Sequence, residues 1–61
     1  MQLEELGRKM VVFRAKKDIS QKQLAKMCLL SHQTINSIEL GVRNPTRLTE
    51  QKILNVIEKG E

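Results

Sequence analysis

Apolar residues recur at helical intervals from the start of the chain. Leu3, Leu6, Met10 and Phe13 fall three or four positions apart and give one apolar face to a helix expected over about Gln2 to Lys17. Val11 and Val12 widen that face, and the pattern breaks at Asp18-Ile19-Ser20. Ser20 is a good N-cap, Gln23 three residues on completes a capping box, and Ile19 can staple onto Leu24. A second helix then runs from Gln21 to about Cys28, burying Leu24, Ala25 and Cys28, with Leu29-Leu30 as a turn. Ser31 caps a third helix, His32 to about Leu40, with Ile35 and Ile38 inward and His32, Gln33, Thr34, Asn36 and Ser37 largely outward. Gly41 suits the left-handed residue that ends a helix, and Asn44-Pro45 is a turn signal. Thr46 and Thr49 are both plausible caps for a last helix, about 47–59, whose band Ile53, Leu54, Val56 and Ile57 is wide for one face of a small core. Met27, Leu40 and Val42 are left at least partly exposed, and no segment alternates as a strand would.

Two short helices joined by a tight turn, the second with a polar outer face, occupy Ser20 to Pro45. This is the geometry of a helix-turn-helix, whose second helix enters the DNA major groove. Charge points the same way. Eleven Lys and Arg against seven Asp and Glu leave a net charge of +4, a balance that favours polyanions in so small a domain, nucleic acid first. Many small proteins carry such a charge without that role.

The 61 residues suffice for one domain, 1–61, and a chain this short buries only roughly 60% of its unfolded surface. With no Trp or Tyr and one Phe, the core is expected to be aliphatic. A single cysteine, Cys28, excludes an internal disulfide, and no secretory or membrane-spanning segment is evident, so a cytoplasmic setting is expected. Catalysis has no support: there is one His, no nucleophile–base pair, and too little chain for a substantial cleft. No metal or cofactor is implied, since a lone Cys and a lone His do not make a zinc site.

Gln33 is the strongest base-reading candidate. Its amide carries a donor and an acceptor that match N6 and N7 of adenine, worth about 1–3 kcal/mol of discrimination. Gln21 and Lys22 lie at the start of the second helix, where free backbone N–H groups and the dipole favour a phosphate. His32 is ambiguous: it could meet a base, cap its helix, or contact a phosphate when charged.

Leu6-Gly7, Phe13-Arg14, Ser20-Gln21, Leu24-Ala25, Ser31, Thr34-Ile35, Ile38-Glu39, Gly41, Arg43 and Asn44-Pro45 together closely resemble the Cro/C1-type helix-turn-helix domains of phage repressors and the wider xenobiotic-response-element regulator family. The resemblance covers about Leu6 to Thr46. It implies an all-α, compact four- to five-helix, lambda-repressor-like DNA-binding domain, with the helix-turn-helix at about 20–40. It further implies that His32, Gln33 and Ser37 face base edges with Thr34 and Asn36 on the flanks, and that Arg43, Asn44 and Arg47 form a phosphate-contacting loop. Arg14 and Glu39 would form an internal ion pair tying the first helix to the third.

The chain departs from the family at three places, one of them Leu40, which stands where a polar, backbone-contacting residue is common, so that one phosphate contact is expected to be lost. Leu29 stands where the family often has Gly, so either Leu29 is strained or the turn avoids the left-handed region. Many relatives continue into a fifth helix, and this sequence ends at Glu61. The band Ile53, Leu54, Val56 and Ile57 could supply the missing core by packing on a second copy. Such a homodimer would set two reading helices about 34–36 Å apart on a palindromic site. Alternatively the band only completes the monomer core. The leading expectation is a sequence-specific repressor on double-stranded DNA. The competing one is a small interaction module, of antitoxin or antirepressor type, docking through its C-terminal helix.

Overall fold

The three N-terminal helices are closed by the same local device. In the computed structural model, which describes residues 3–60, α1 spans Leu3–Lys17, α2 Gln21–Cys28, α3 His32–Glu39 and α4 Arg47–Gly60. The expected helix start at Gln2 lies outside the described residues, as do the side chains of Leu3 and Glu4. After α1, α2 and α3 the chain turns through a left-handed residue: Asp18 (φ 54°), Leu29 (φ 59°) and Gly41 (φ 75°). Each turn is tied by two backbone bonds that satisfy carbonyls of the helix end. Ile19 N–H donates to Arg14 and Asp18 to Ala15; Leu30 donates to Ala25 and Leu29 to Lys26; Val42 donates to Ser37 and Gly41 to Ile38. This is the Schellman closure.

In the first two turns an apolar residue and a serine cap follow at once, as Ile19-Ser20 and Leu30-Ser31. Ser20 Oγ accepts from Gln23 N–H at 3.1 Å, and Gln23 Oε1 accepts from Ser20 N–H at 2.7 Å, so the capping box is complete. Ser31 Oγ accepts from Thr34 N–H at 3.1 Å. Of the two cap candidates for α4, Thr46 holds the role: its Oγ1 accepts from Thr49 N–H at 3.2 Å.

Leu29 is therefore the strained alternative. Its side chain is 80% exposed while its backbone sits at φ 59°, ψ 41°. A left-handed conformation costs an L-residue with a Cβ about 1–2 kcal/mol. Leu29→Gly is expected to stabilise the domain by about 1 kcal/mol, the strain relief being offset partly by the freer unfolded chain. A thermal melt checks this, at about 4–8 °C per kcal/mol for a domain of this size. An unchanged or lower midpoint would mean that the turn is not strained.

All four helices feed one core. Leu6, Met10 and Phe13 come from α1, Leu24, Ala25 and Cys28 from α2, Ile35 and Ile38 from α3, and Ile53 and Ile57 from α4. Ile19, Leu30, Leu54 and Val56 pack against it from the edge. Burial pushes the Cys28 thiol up to about 11, so it behaves as a small apolar side chain.

The expected dimer band is corrected here. Ile53 and Ile57 are 0% and 4% exposed within their own chain, and only Leu54 and Val56 remain partly exposed. The physical reason is that α4 packs on both α1 and α2, which takes a wider apolar stripe than one contact face would. Met27, Leu40 and Val42 are exposed as expected, and so are Val11, Val12 and Leu48. No helix among the described residues is long and apolar enough to cross a membrane.

Gly7 sets how closely α1 approaches α3. A methyl group there would sit 2.8 Å from the Ile38 carbonyl oxygen and 3.3 Å from that of Glu39. Backbone cannot swing away as a side-chain tip can, so Gly7→Ala should destabilise by about 1–3 kcal/mol despite roughly 1 kcal/mol of improved helix propensity. A raised melting midpoint would show that the two helices have room to part.

Candidate nucleic-acid interface

Helix α3 is two-sided at 3.6 residues per turn. Ile35 and Ile38 are fully buried, and the opposite side carries His32, Gln33, Asn36, Ser37 and then Leu40. His32 and Gln33 are exposed, and Thr34, Asn36 and Ser37 are half-buried. Gln33 and Ser37 make no side-chain hydrogen bond among the described residues, so their polar atoms are available to a ligand. Thr34 Oγ1 is 2.8 Å from Ser31 Oγ and accepts from Arg43 Nη1 at 3.4 Å. That bond draws Arg43 toward the start of α3.

Behind this face lies a polar brace. Arg14 Nε donates to Glu39 Oε2 and Arg14 Nη2 to Glu39 Oε1, both at 2.7 Å. The two-pronged match of guanidinium to carboxylate joins α1 to the end of α3. The Glu39 carboxylate, hydrogen-bonded to Arg14 and close to it, holds the guanidinium pKa above its ordinary value, against a partial loss of solvation. Glu39's side chain is 6% exposed and Arg14's 23%.

Gln21 extends the brace to α2. Its Nε2 donates to Glu39 Oε1 at 3.0 Å and to Asn36 Oδ1 at 3.1 Å, and its Oε1 is 2.9 Å from His32 Nε2. Every polar atom of the Gln21 side-chain amide is thus engaged, and the phosphate contact expected at this helix start is the one through free backbone N–H groups. What remains for an anion at this helix end is backbone. Ser20 ties down Gln23 N–H, and the amides of Gln21 and Lys22 have no partner among the described residues.

The sequence reading missed that network, although a signal was present. Gln21 lies three, four and seven residues before Leu24, Ala25 and Cys28, which places it on the buried face of α2 rather than the outer one. Its partners Asn36 and Glu39 are 15 and 18 residues away, beyond any local pattern.

Electrostatics favour an anion on this side. From Ile19 to Leu48 there is one carboxylate, Glu39, neutralised by Arg14, against Lys22, Lys26, Arg43 and Arg47. Neither α2 nor α3 carries an acidic residue in its first turn, so nothing there opposes a phosphate. Lys22, Arg43, Asn44 and Arg47 are all exposed. Asn44 and Arg47 flank the Pro45–Thr46 entry into α4 and make no side-chain hydrogen bond among the described residues. Among the described residues, no three His, Cys, Asp or Glu side chains gather as a metal site would need.

A family model described as helix-turn-helix matches residues 13–60, most of the chain. No curated protein and no solved structure gives a significant match.

Proposed function

The chain belongs to the Cro/C1-type helix-turn-helix family of DNA-binding transcription regulators, and from that premise we propose that it acts as a repressor, occupying a palindromic operator through the major groove. The observation that carries this reading is the two-sided α3, anchored by Ile35 and Ile38 and bare at Gln33 and Ser37. A helix of this size fits the B-DNA major groove, about 12 Å wide. Base reading is assigned to His32, Gln33 and Ser37, with Thr34 and Asn36 at the margins. Phosphate contacts are assigned to the Gln21 and Lys22 backbone amides, the Lys22 side chain, Arg43, Asn44 and Arg47. Such contacts set position and affinity, and base contacts set sequence.

The repressor is proposed to work as a homodimer through α4. Leu54 lines a shallow groove with Val12, between Arg8 and Glu58, and Val56 is also partly exposed. Ile53 and Ile57 support the dimer only indirectly, by holding α4 in place. Leu54→Glu is expected to leave the monomer folded and to weaken operator binding at least tenfold, read by sedimentation and DNA titration together. Unchanged affinity with a monomeric sedimentation coefficient in both proteins would exclude this interface.

The interaction-module alternative rests, like the dimer, on the apolar band of α4, and with Ile53 and Ile57 buried in their own chain that band is narrowed to Leu54 and Val56 for both. A salt titration on mixed-sequence DNA separates the two readings. A DNA-binding domain should show a log–log slope of about −0.9 per phosphate neutralised, the sequence-independent part of its affinity. Absence of measurable binding at low salt would reject the DNA reading.

A further inference from the structure

The operator-binding reading gives His32 a base to meet, and the brace behind it decides what kind of base. We propose that Arg14, Glu39 and Gln21 fix the tautomer of His32, so that its Nδ1 accepts a hydrogen bond from an exocyclic base amine, adenine N6 or cytosine N4, in the major groove.

Donors and acceptors alternate along a chain of contacts from Arg14 to His32. Arg14 is a donor only, and it meets both Glu39 oxygens at 2.7 Å. Glu39 facing that guanidinium is a carboxylate, an acceptor only. The Gln21 atom 3.0 Å from Glu39 Oε1 must therefore be the amide nitrogen, because a carbonyl oxygen there would oppose the carboxylate with no hydrogen between them. With Nε2 turned to Glu39 and Asn36, Gln21 Oε1 is what faces His32 Nε2 at 2.9 Å. A carbonyl oxygen can only accept, so Nε2 carries the hydrogen. In a neutral imidazole the other nitrogen, Nδ1, is then a bare lone pair. His32 is exposed at the start of α3, and Nδ1 makes no hydrogen bond among the described residues.

A lone pair at that position discriminates in two ways. Adenine N6 and cytosine N4 are the amine donors on the major-groove edge and can satisfy it. Guanine N7 and O6 and thymine O4 are acceptors and would face it without a hydrogen. Gln21 is thus a positioning residue: it need not touch DNA to set the choice of base. The same amide also orients Asn36, whose Oδ1 is occupied by Gln21, leaving its amide nitrogen as a donor.

The test combines a spectrum of the free protein with a DNA selection, both at a pH of about 8, above the ordinary imidazole range. Nitrogen-15 NMR of the wild type should show His32 protonated at Nε2 and unprotonated at Nδ1; Gln21→Met should show a mixture. The base position read by His32 is located by comparing selections from random DNA with wild type and His32→Ala. Wild type should prefer adenine or cytosine there by about fivefold, the weight of one hydrogen bond, and Gln21→Met should lose that preference while keeping those at the positions read by Gln33 and Ser37, which make no bond to Gln21. A merely structural role for Gln21 would lower affinity for every sequence and leave the tautomer alone. A wild-type His32 protonated at Nδ1, or a preference for guanine or thymine at that position, overturns the proposal and leaves the operator reading intact. A protein that selects no sequence at all overturns the operator reading, and the base assignment falls with it.

Discussion

Arg14→Met is expected to destabilise the domain by about 3 kcal/mol or somewhat more, the range for stripping one partner from a buried ion pair. The reason is what remains behind. Glu39 is 6% exposed, and after the substitution only one Gln21 N–H would face a carboxylate that water scarcely reaches. At roughly 0.05–0.15 kcal/mol per residue, a domain of this length has about 3–9 kcal/mol in all. The loss is therefore a large share of its stability, and chemical denaturation should show a much lower midpoint with an unchanged slope. Arg14→Met combined with Glu39→Leu should cost less than the single change, because no stranded charge is left. A single-mutant cost under about 1 kcal/mol would place the pair with solvent-exposed ones, which contribute little.

The second large effect concerns recognition. Gln33→Ala is expected to lower affinity for the operator about 5- to 150-fold, equivalent to about 1–3 kcal/mol, and to leave affinity for mixed-sequence DNA nearly unchanged. Gln33 is exposed and carries no core contact or internal hydrogen bond among the described residues, so its truncation should not move the melting midpoint. Parallel titrations of operator and mixed-sequence DNA give the ratio. An equal fall in both would make Gln33 a general contact and return base reading to His32 and Ser37.

The helices were legible because their ends are chemically marked. Ser20 with Gln23, Ser31 and Gly41 each announce a cap or a stop, and each stands where its residue type predicts. Leu29 was legible only as a question. Its side chain does not say whether the turn needs a positive φ; the bond from Leu30 N–H to Ala25 settles that by demanding the left-handed step. The band at Ile53–Ile57 exceeds what one neighbouring helix covers, and its width follows from α4 meeting two, which the sequence does not record. The Arg14–Glu39 pair, 25 residues apart, could be anticipated only from the family resemblance. The link through Gln21 to His32 joins three helices, and a one-dimensional pattern records no such closure.

This geometry also separates two jobs that the sequence blurs. His32 and Asn36 are polar and on the outer side of α3, yet both are tied to Gln21, whereas Gln33 and Ser37 make no such bond. The proposed reading face is thus half pre-arranged and half adaptable. Pre-arranged groups lose little freedom on binding.

Sequence-specific DNA binding is the central claim, and selection from a random-sequence DNA pool tests it most directly. Enrichment of one motif with two inverted half-sites centred about 10 base pairs apart, one helical turn, is expected, with the enrichment lost when Gln33, His32 and Ser37 are all replaced by Ala. A pool that stays random through repeated rounds, while the protein remains folded, would contradict it.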